Sequence, residues 1–305
     1  MPTRLTTLGL FLATFAWGAS FFLIKKATAL VGVWPYLAVR FGISIVVLAM
    51  IFPEKLMRAP RALIARGFLL GLILFLCVWT QTQGLQATTA TRSGFITALY
   101  VPFTPLLGWL LFRNPVYMRQ VLATLLAVLG LYFLTNPVGP SSLISWWTDV
   151  NPGDLWTLAC AILAAVHIVL TERLSREEAD SVGLGMWQFI GCAFFLGVSI
   201  LMHQDKVFSP AGWNFMSWPT FAIFSVGFNA VVCTAFAFIM QIIAQKHMGA
   251  LKAALIFALE APFSSGFAFA FLGETMVLRE MIGALIVFLT SIIPEAWLKE
   301  PLEGT

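Results

Sequence analysis

Charge is what this sequence has least of. Only 10% of its 305 residues are Asp, Glu, Lys or Arg, whereas 60% are hydrophobic and mean hydropathy reaches +0.90. Soluble domains carry roughly 45–50% apolar and about 25% charged residues, and a chain of this length has too little interior to hide the surplus. A water-soluble fold is excluded, and lipid is the solvent that remains. Cysteine is also sparse. Cys77, Cys160, Cys192 and Cys233 stand singly in apolar runs, with no CxxC spacing and no neighbouring His pair, so they indicate neither a disulfide framework nor a zinc site and read as small hydrophobes in packed helices. HExxH and a lysine-bearing phosphate loop are missing, as is a GxSxG elbow. Asp149, Asp154, Asp180 and Asp205 are all expected in loops, Asp154 at the edge of its apolar run, so no intramembrane aspartate pair is expected. Metal-dependent and P-loop chemistry are therefore unsupported; an enzyme and a bound cofactor are not expected. The net charge of +4 is spread over loop ends and makes no basic stripe for nucleic acid.

What the sequence has is apolar runs of spanning length. About 20 apolar residues cross the hydrocarbon core, and such runs fall near 5–24, 34–52, 67–86, 92–112, 117–135, 153–171, 183–202, 219–245, 253–272 and 277–297. The first is longer than a signal-peptide core, shows no small-residue cleavage site, and reads as a retained helix. Trp146, Trp147, Trp213 and Trp218 sit in the two longest breaks, as expected of rings that prefer the membrane interface. The expectation is an all-α membrane protein of ten transmembrane helices with the lipid bilayer as its partner.

A shift of 160 lays residues 90–129 over 250–289 without a gap, with nine identities in forty positions. Ala98-Leu99 meets Ala258-Leu259, Pro102-Phe103 meets Pro262-Phe263, Arg119 meets Arg279, and Gln81 meets Gln241. This divides the chain into repeats at 1–139 and 140–305. Five helices each is an odd number, so the second copy is expected to enter from the opposite side. Inverted repeats are the architecture of many secondary transporters, with the binding site at the midplane between halves.

The unit resembles the EamA unit of the drug/metabolite transporter superfamily over nearly the whole chain. The resemblance is carried by Trp17-Gly18, Arg40-Phe41, Leu99-Tyr100-Val101-Pro102, Leu259-Glu260-Ala261-Pro262, Leu272-Gly273-Glu274 and Ile282-Gly283-Ala284. It implies a ten-helix transporter of amino acids or similar small metabolites, with export the expected direction. One departure is Arg113-Asn114, where the family often has Gly-Glu; the lip carboxylate of Glu274 then has no counterpart.

Candidate site residues follow from what is costly in lipid. Pro102 and Pro262 lie ten residues from Arg92 and Lys252, so at about 1.5 Å per residue both interrupt their helices some 15 Å deep. Paired interruptions point to a transporter site, although each also serves as a packing kink. Glu260 is the one acidic residue well inside a span; a mid-membrane charge costs at least about 2.5–3.5 kcal/mol. Three roles are open to it: holding a substrate ammonium, accepting a coupling proton, or pairing with Arg40. Arg40 can instead bind a substrate carboxylate or snorkel to the headgroups. Tyr100 takes the equivalent place in the first half. Trp79, Gln83 and Gln86 form one stripe of the third span (i, i+4, i+7), with Gln81 and Thr82 off it. Like Asn229 and Gln241 in the eighth span, these groups suit either a wet pocket or interhelical hydrogen bonding. His167 aligns with Ser20 when Trp17-Gly18 is laid over Ala164-Ala165 and is a candidate for a proton path, or a satisfied core histidine; Trp17 is a candidate cavity wall. The expected site therefore draws on the first, third, fourth, sixth, eighth and ninth spans, for a small-molecule substrate moved by alternating access. A non-amino-acid metabolite or drug carrier and a lipid-modifying membrane enzyme are the alternatives.

Lys and Arg number twelve on the side of the N-terminus, even-numbered loops and C-terminus, against five opposite, with Arg40 uncounted. By the positive-inside rule both termini are cytoplasmic, in a multi-pass cell membrane protein of bacterial inner-membrane type. A C-terminal green fluorescent protein fusion is therefore expected to fluoresce and an alkaline phosphatase fusion at the same place to be inactive; the reverse pattern overturns the orientation.

Overall fold

The structure, a computed structural model, describes residues 4–135, 150–202, 210–272, 277–293 and 297–298. Among these, all regular structure is helical. The main elements are α1 (Arg4–Val31), α2 (Val33–Ile51), α3 (Arg61–Ala87), α4 (Ala90–Ala98), α5 (Tyr100–Phe112) and α6 (Met118–Thr135). They continue with α7 (Pro152–Glu177), α8 (Ser181–Met202), α9 (Thr220–Phe228), α10 (Ala237–Gln245), α11 (Ala250–Phe257), α12 (Glu260–Leu272) and α13 (Leu278–Ser291). A π-helix, Asn229–Phe236, joins α9 to α10.

Eight segments among the described residues are long and apolar enough to cross a membrane, counting α4–α5, α9–α10 and α11–α12 as one each. The expected fifth and tenth spans stand outside these eight: α6 fills its expected range to within a residue, with Met118–Phe133 counting as a shorter apolar helix, and α13 has only 14 residues. These two pack on each other, with Gly130 facing the Ile286 side chain and the Gly283 carbonyl. Large side chains such as Leu12, Leu110, Leu125 and Phe288 are exposed on the outer surface, as a lipid solvent allows.

Two large interior clusters, with a small third around Leu70, Leu184 and Ile242, divide the bundle. One gathers Leu10, Tyr100, Leu131, Ile168, Leu255 and Leu259; the other gathers Phe21, Tyr36, Phe41, Phe75, Phe189 and Ala222. The ends are tied by charge. At one end Lys55 pairs with Asp180 at 3.0 Å, Arg66 reaches both Glu177 at 3.1 Å and Glu178, and the Lys246 ammonium donates to the Glu178 carbonyl. Each partly exposed pair is worth little by itself, but together they tie three connections, at Lys55, at residues 178–180 and at Lys246, to α3. At the other end Arg92 pairs with Asp154 at 2.7 Å, and the Thr88 hydroxyl donates to the same carboxylate. Trp146, Trp147 and Glu274 lie outside the described residues. Trp218 is buried, its indole N–H donating to the Gly212 carbonyl.

Arg113 ends α5 in the left-handed region, with φ 57. That conformation costs a non-glycine residue roughly 1–2 kcal/mol, which explains physically why a glycine suits this place; here the Arg113 guanidinium lies over the Trp109 ring at 5.6 Å.

Close packing of α3 on α8 depends on Gly71. A Cβ there would stand 2.5 Å from the Gln188 carbonyl and 2.7 Å from the Cys192 amide, both backbone atoms of a neighbouring helix. Gly71→Leu is expected to lower stability by about 1–3 kcal/mol, the usual cost of overpacking, seen as a lower thermal midpoint in detergent. Gly197→Leu, at a position with nothing within 4 Å, is expected to leave the midpoint unchanged.

Candidate functional site

Three helix interruptions converge on one cavity. Proline has no N–H to give the carbonyl four residues back, which for Pro102 and Pro262 is Ala98 and Ala258. Both helices break at that place: α4 ends at Ala98 and α5 begins at Tyr100, while α11 ends at Phe257 and α12 begins at Glu260. Each proline thereby falls in the first turn of a new helix, where the N–H has no intrahelical partner anyway. The prolines set the geometry but do not line the cavity; Tyr100 and Glu260, first residues of the two half-helices, do. Close approach of α1 secures the second break. A Cβ on Gly18 would stand 2.4 Å from Cβ of Phe263 and 3.2 Å from the Glu260 carbonyl.

The cavity holds about 80 Å³, room for a few waters. Its walls come from the first, second, third, fourth, sixth, eighth and ninth spans. Trp17 forms an aromatic wall against Phe238 and Phe257, with ring centroids 5.1 and 5.2 Å away, and its indole N–H is spent on the Cys233 carbonyl at 2.8 Å. The Ser20 hydroxyl donates to the Trp17 carbonyl at 2.7 Å. His167 is buried with Nε2 3.0 Å from Oε1 of Gln188. Gln241 donates to Gln245, which donates to the Ile168 carbonyl, both at 2.9 Å. These groups face the cavity with their strongest hydrogen-bonding capacity partly used.

Four others do not. Nη1 of Arg40, Oγ1 of Thr97, Oη of Tyr100 and Oε1 of Glu260 are buried without a hydrogen-bond partner among the described residues, and all four residues line this cavity. Tyr100 and Glu260 lie side by side without completing a bond between Oη and Oε1. Arg40 is 3% exposed, so it faces protein rather than headgroups. None of the ion pairs among the described residues joins it to Glu260.

The π-helix holds Arg40 in place. Nε donates to the Thr234 hydroxyl at 2.7 Å, and that hydroxyl donates to the Asn229 carbonyl, five residues back, at 2.8 Å. From α2, the Ser44 hydroxyl reaches the Ala230 carbonyl at 2.8 Å. Asn229 thus lies outside the cavity and acts through Thr234. The expected stripe of the third span also lies elsewhere. Trp79 packs among Trp34, Phe75 and Trp156, Gln86 donates to Thr28 at 2.7 Å, and Gln83 is not in the cavity wall. The face that does line it is Leu74, Cys77, Val78 and Gln81, at the same i, i+3, i+4, i+7 spacing but rotated. Sequence reasoning missed Cys77, Cys160 and Thr97, and nothing in their spacing marked them. Among the described residues no group of three or more His, Cys, Asp or Glu could hold a metal ion.

A larger cleft of about 360 Å³ begins one turn beyond the cavity, at Thr104 and Val169, and runs to Arg176 and Lys252. Glu172 crosses it, accepting from the Ala250 amide at 2.8 Å and pairing with Arg176 at 2.8 Å.

The shift that relates the two halves also relates the cavity wall. Val78 and Phe238, Gln81 and Gln241, Thr97 and Phe257, and Tyr100 and Glu260 are pairs 160 apart, each with both members in the lining.

Comparison with known proteins places these features. The model of a family described as the EamA-like transporter family matches residues 4–136 and again 151–293. An uncharacterized transporter of Archaeoglobus fulgidus is 29% identical over 286 residues, 94% of this chain and 84% of that protein. Another, from Methanothermobacter thermautotrophicus, is 28% identical over 221 residues, 70% of this chain and 59% of that protein. A solved crystal structure, described only as that of a protein, superposes with a TM-score of 0.69 over 95% of this chain and 96% of its own, at 16% identity; that likeness shows the fold alone.

Proposed function

The chain belongs to the EamA-like transporter family, a multi-pass membrane protein family, and on that premise we propose that it exports a small zwitterionic metabolite, an amino acid or close analogue, across the cell membrane by alternating access. One observation carries the reading: four buried polar atoms with no partner among the described residues belong to residues that line a single central cavity. Unsatisfied buried groups are rare and call for an explanation, and a transport substrate supplies one.

The chemistry is that of a zwitterion. Arg40 offers Nη1 to a carboxylate with its Nε already anchored on Thr234. The α5 and α12 N-termini add the positive ends of their dipoles. Glu260 takes the ammonium and, in turn, a coupling proton. The Trp17 face and the Tyr100 ring bound a small side chain. In this reading the chain divides into halves 1–139 and 140–305, ten helices in two inverted repeats, that rock about the cavity. The double family match and the paired lining residues support that arrangement. The cleft past Thr104 is the route from the cytoplasmic side, with Glu172 and Arg176 at its mouth, and no enzymatic step is assigned.

Two substitutions test the reading in proteoliposomes loaded with an amino-acid panel. Arg40→Gln is expected to raise the half-saturation concentration about tenfold or more, the value of one charge-assisted hydrogen bond, and to erase preference for an amino acid over its decarboxylated amine. Glu260→Gln keeps an acceptor oxygen but cannot release a proton. It is expected to abolish flux driven by a pH gradient while counterflow at equal pH survives. Persistence of both fluxes unchanged makes Glu260 a structural residue; unchanged saturation in Arg40→Gln removes the carboxylate from that end.

A further inference from the structure

Cys77 and Cys160 lie 83 residues apart in sequence and meet in the cavity wall. Their Sγ atoms are 3.6 Å apart, one from α3 and the other from α7, and both residues line the central cavity. Both are free thiols. The other two cysteines have different surroundings: Cys233 donates to the Ala16 carbonyl at 3.3 Å and Cys192 is packed among apolar residues. A thiophilic atom bonded to two sulfurs at about 2.3 Å holds them roughly 3.3–3.8 Å apart for angles from pyramidal to tetrahedral, a range that includes the separation here. A closed metal site needs a third or fourth ligand, and none of the required types stands in reach. Two thiols and no third ligand fit a centre that brings its own remaining substituent.

We propose that Cys77 and Cys160 form a dithiol site, in the wall of the cavity, that captures one monosubstituted trivalent arsenical and halts transport when filled. The step is a condensation without change of oxidation state. An organoarsenic(III) oxide, R–As=O, gains two As–S bonds, and its oxygen leaves as water with the two thiol protons. The product bridges α3 to α7 and places the organic substituent in the cavity, beside Tyr100 and Glu260. Either effect, the bridge or the bulk, stops a movement that needs the cavity open.

The probe is phenylarsine oxide on the full-length protein in detergent. Intact mass is expected to show one phenylarsenic per chain, gained with loss of water, that survives washing with a monothiol and is released by 2,3-dimercaptopropanol. Cys77→Ser and Cys160→Ser, each isosteric enough to keep the fold, are expected to weaken retention about a hundredfold or more, because one As–S bond loses the chelate advantage. Retention in the Cys77→Ser/Cys160→Ser double variant equal to that of the unsubstituted protein overturns the site, and so does the absence of any monothiol-resistant adduct on the unsubstituted protein. The second half of the proposal rests on the cavity being the transport site and is measured separately. Counterflow in proteoliposomes is expected to be inhibited in the unsubstituted protein but not in either serine variant, each against its own untreated rate. Adduct formation without inhibition overturns the halting role. Untreated protein that carries no member of the panel overturns the transport reading instead, while the mass measurement still decides the site.

Discussion

Everything in this fold answers to one constraint: in lipid, each backbone N–H and C=O must find its partner inside the protein. Unbroken helices meet that demand on their own, so an interrupted helix is admissible only where protein or a wet cavity receives the freed groups. The interruptions here occur at Leu99, at Ala258–Leu259 and along Asn229–Phe236, and all three adjoin the same cavity. The π segment shows how the demand is met. Its carbonyls at Cys233, Ala230 and Asn229 accept from Trp17, Ser44 and Thr234, so irregular backbone is converted into anchors for the cavity wall.

The same constraint governs the charged groups. Had Arg40 and Glu260 met as a pair, they would have neutralised each other and closed the site, since a buried pair is stable when its remaining hydrogen bonds are filled and costly when one partner is removed. They do not meet. Arg40 is steadied on one nitrogen by Thr234 and on its plane by Phe41, 5.8 Å from the ring centroid, while Nη1 is left over. A fold that spends this much structure on holding a cation half-satisfied has a use for the remaining half.

How much of this was legible beforehand depends on whether a signal survives a hydrophobic solvent. Apolar length does, and so most spans were readable to within a turn. The exceptions are α1, which runs seven residues past its expected end at residue 24, α3, which begins six residues before 67, α7, which runs six past 171, and α13, which ends at Ser291 against an expected 297. Register does too: the 160-residue shift pairs Tyr100 with Glu260 and Gln81 with Gln241, and all four are in the wall. Facing does not. In water an apolar stripe marks the inside, but in lipid both faces of α3 are apolar, so the stripe of Trp79, Gln83 and Gln86 carried no information about which side meets the cavity. The lining stripe through Cys77 and Gln81 is offset from it by two residues. Arg40 had three open destinations for the same reason, and the π segment has no sequence mark at all. The Cys77–Cys160 contact joins residues 83 apart on α3 and α7, which spacing along the chain cannot reveal.

The paired wall also explains why symmetry and specificity are separable. Gln81 and Gln241 preserve the same amide on both sides, as a framework element would. Ser20 corresponds to His167, Thr97 to Phe257 and Tyr100 to Glu260, so the first copy contributes hydroxyls to the wall and the second an imidazole, a phenyl ring and a carboxylate. Laying Arg40-Phe41 over Gln188-Phe189 extends the contrast: a cation in α2 corresponds to a buried amide in α8, and that amide is bound to His167. A cavity built from two copies of one unit and used by a symmetric ligand would gain nothing from such divergence. For the zwitterion proposed here, a carboxylate at one end and an ammonium at the other call for a positive and a negative group that differ, and differing residues at corresponding positions of a unit matched twice along the chain are one way to supply them.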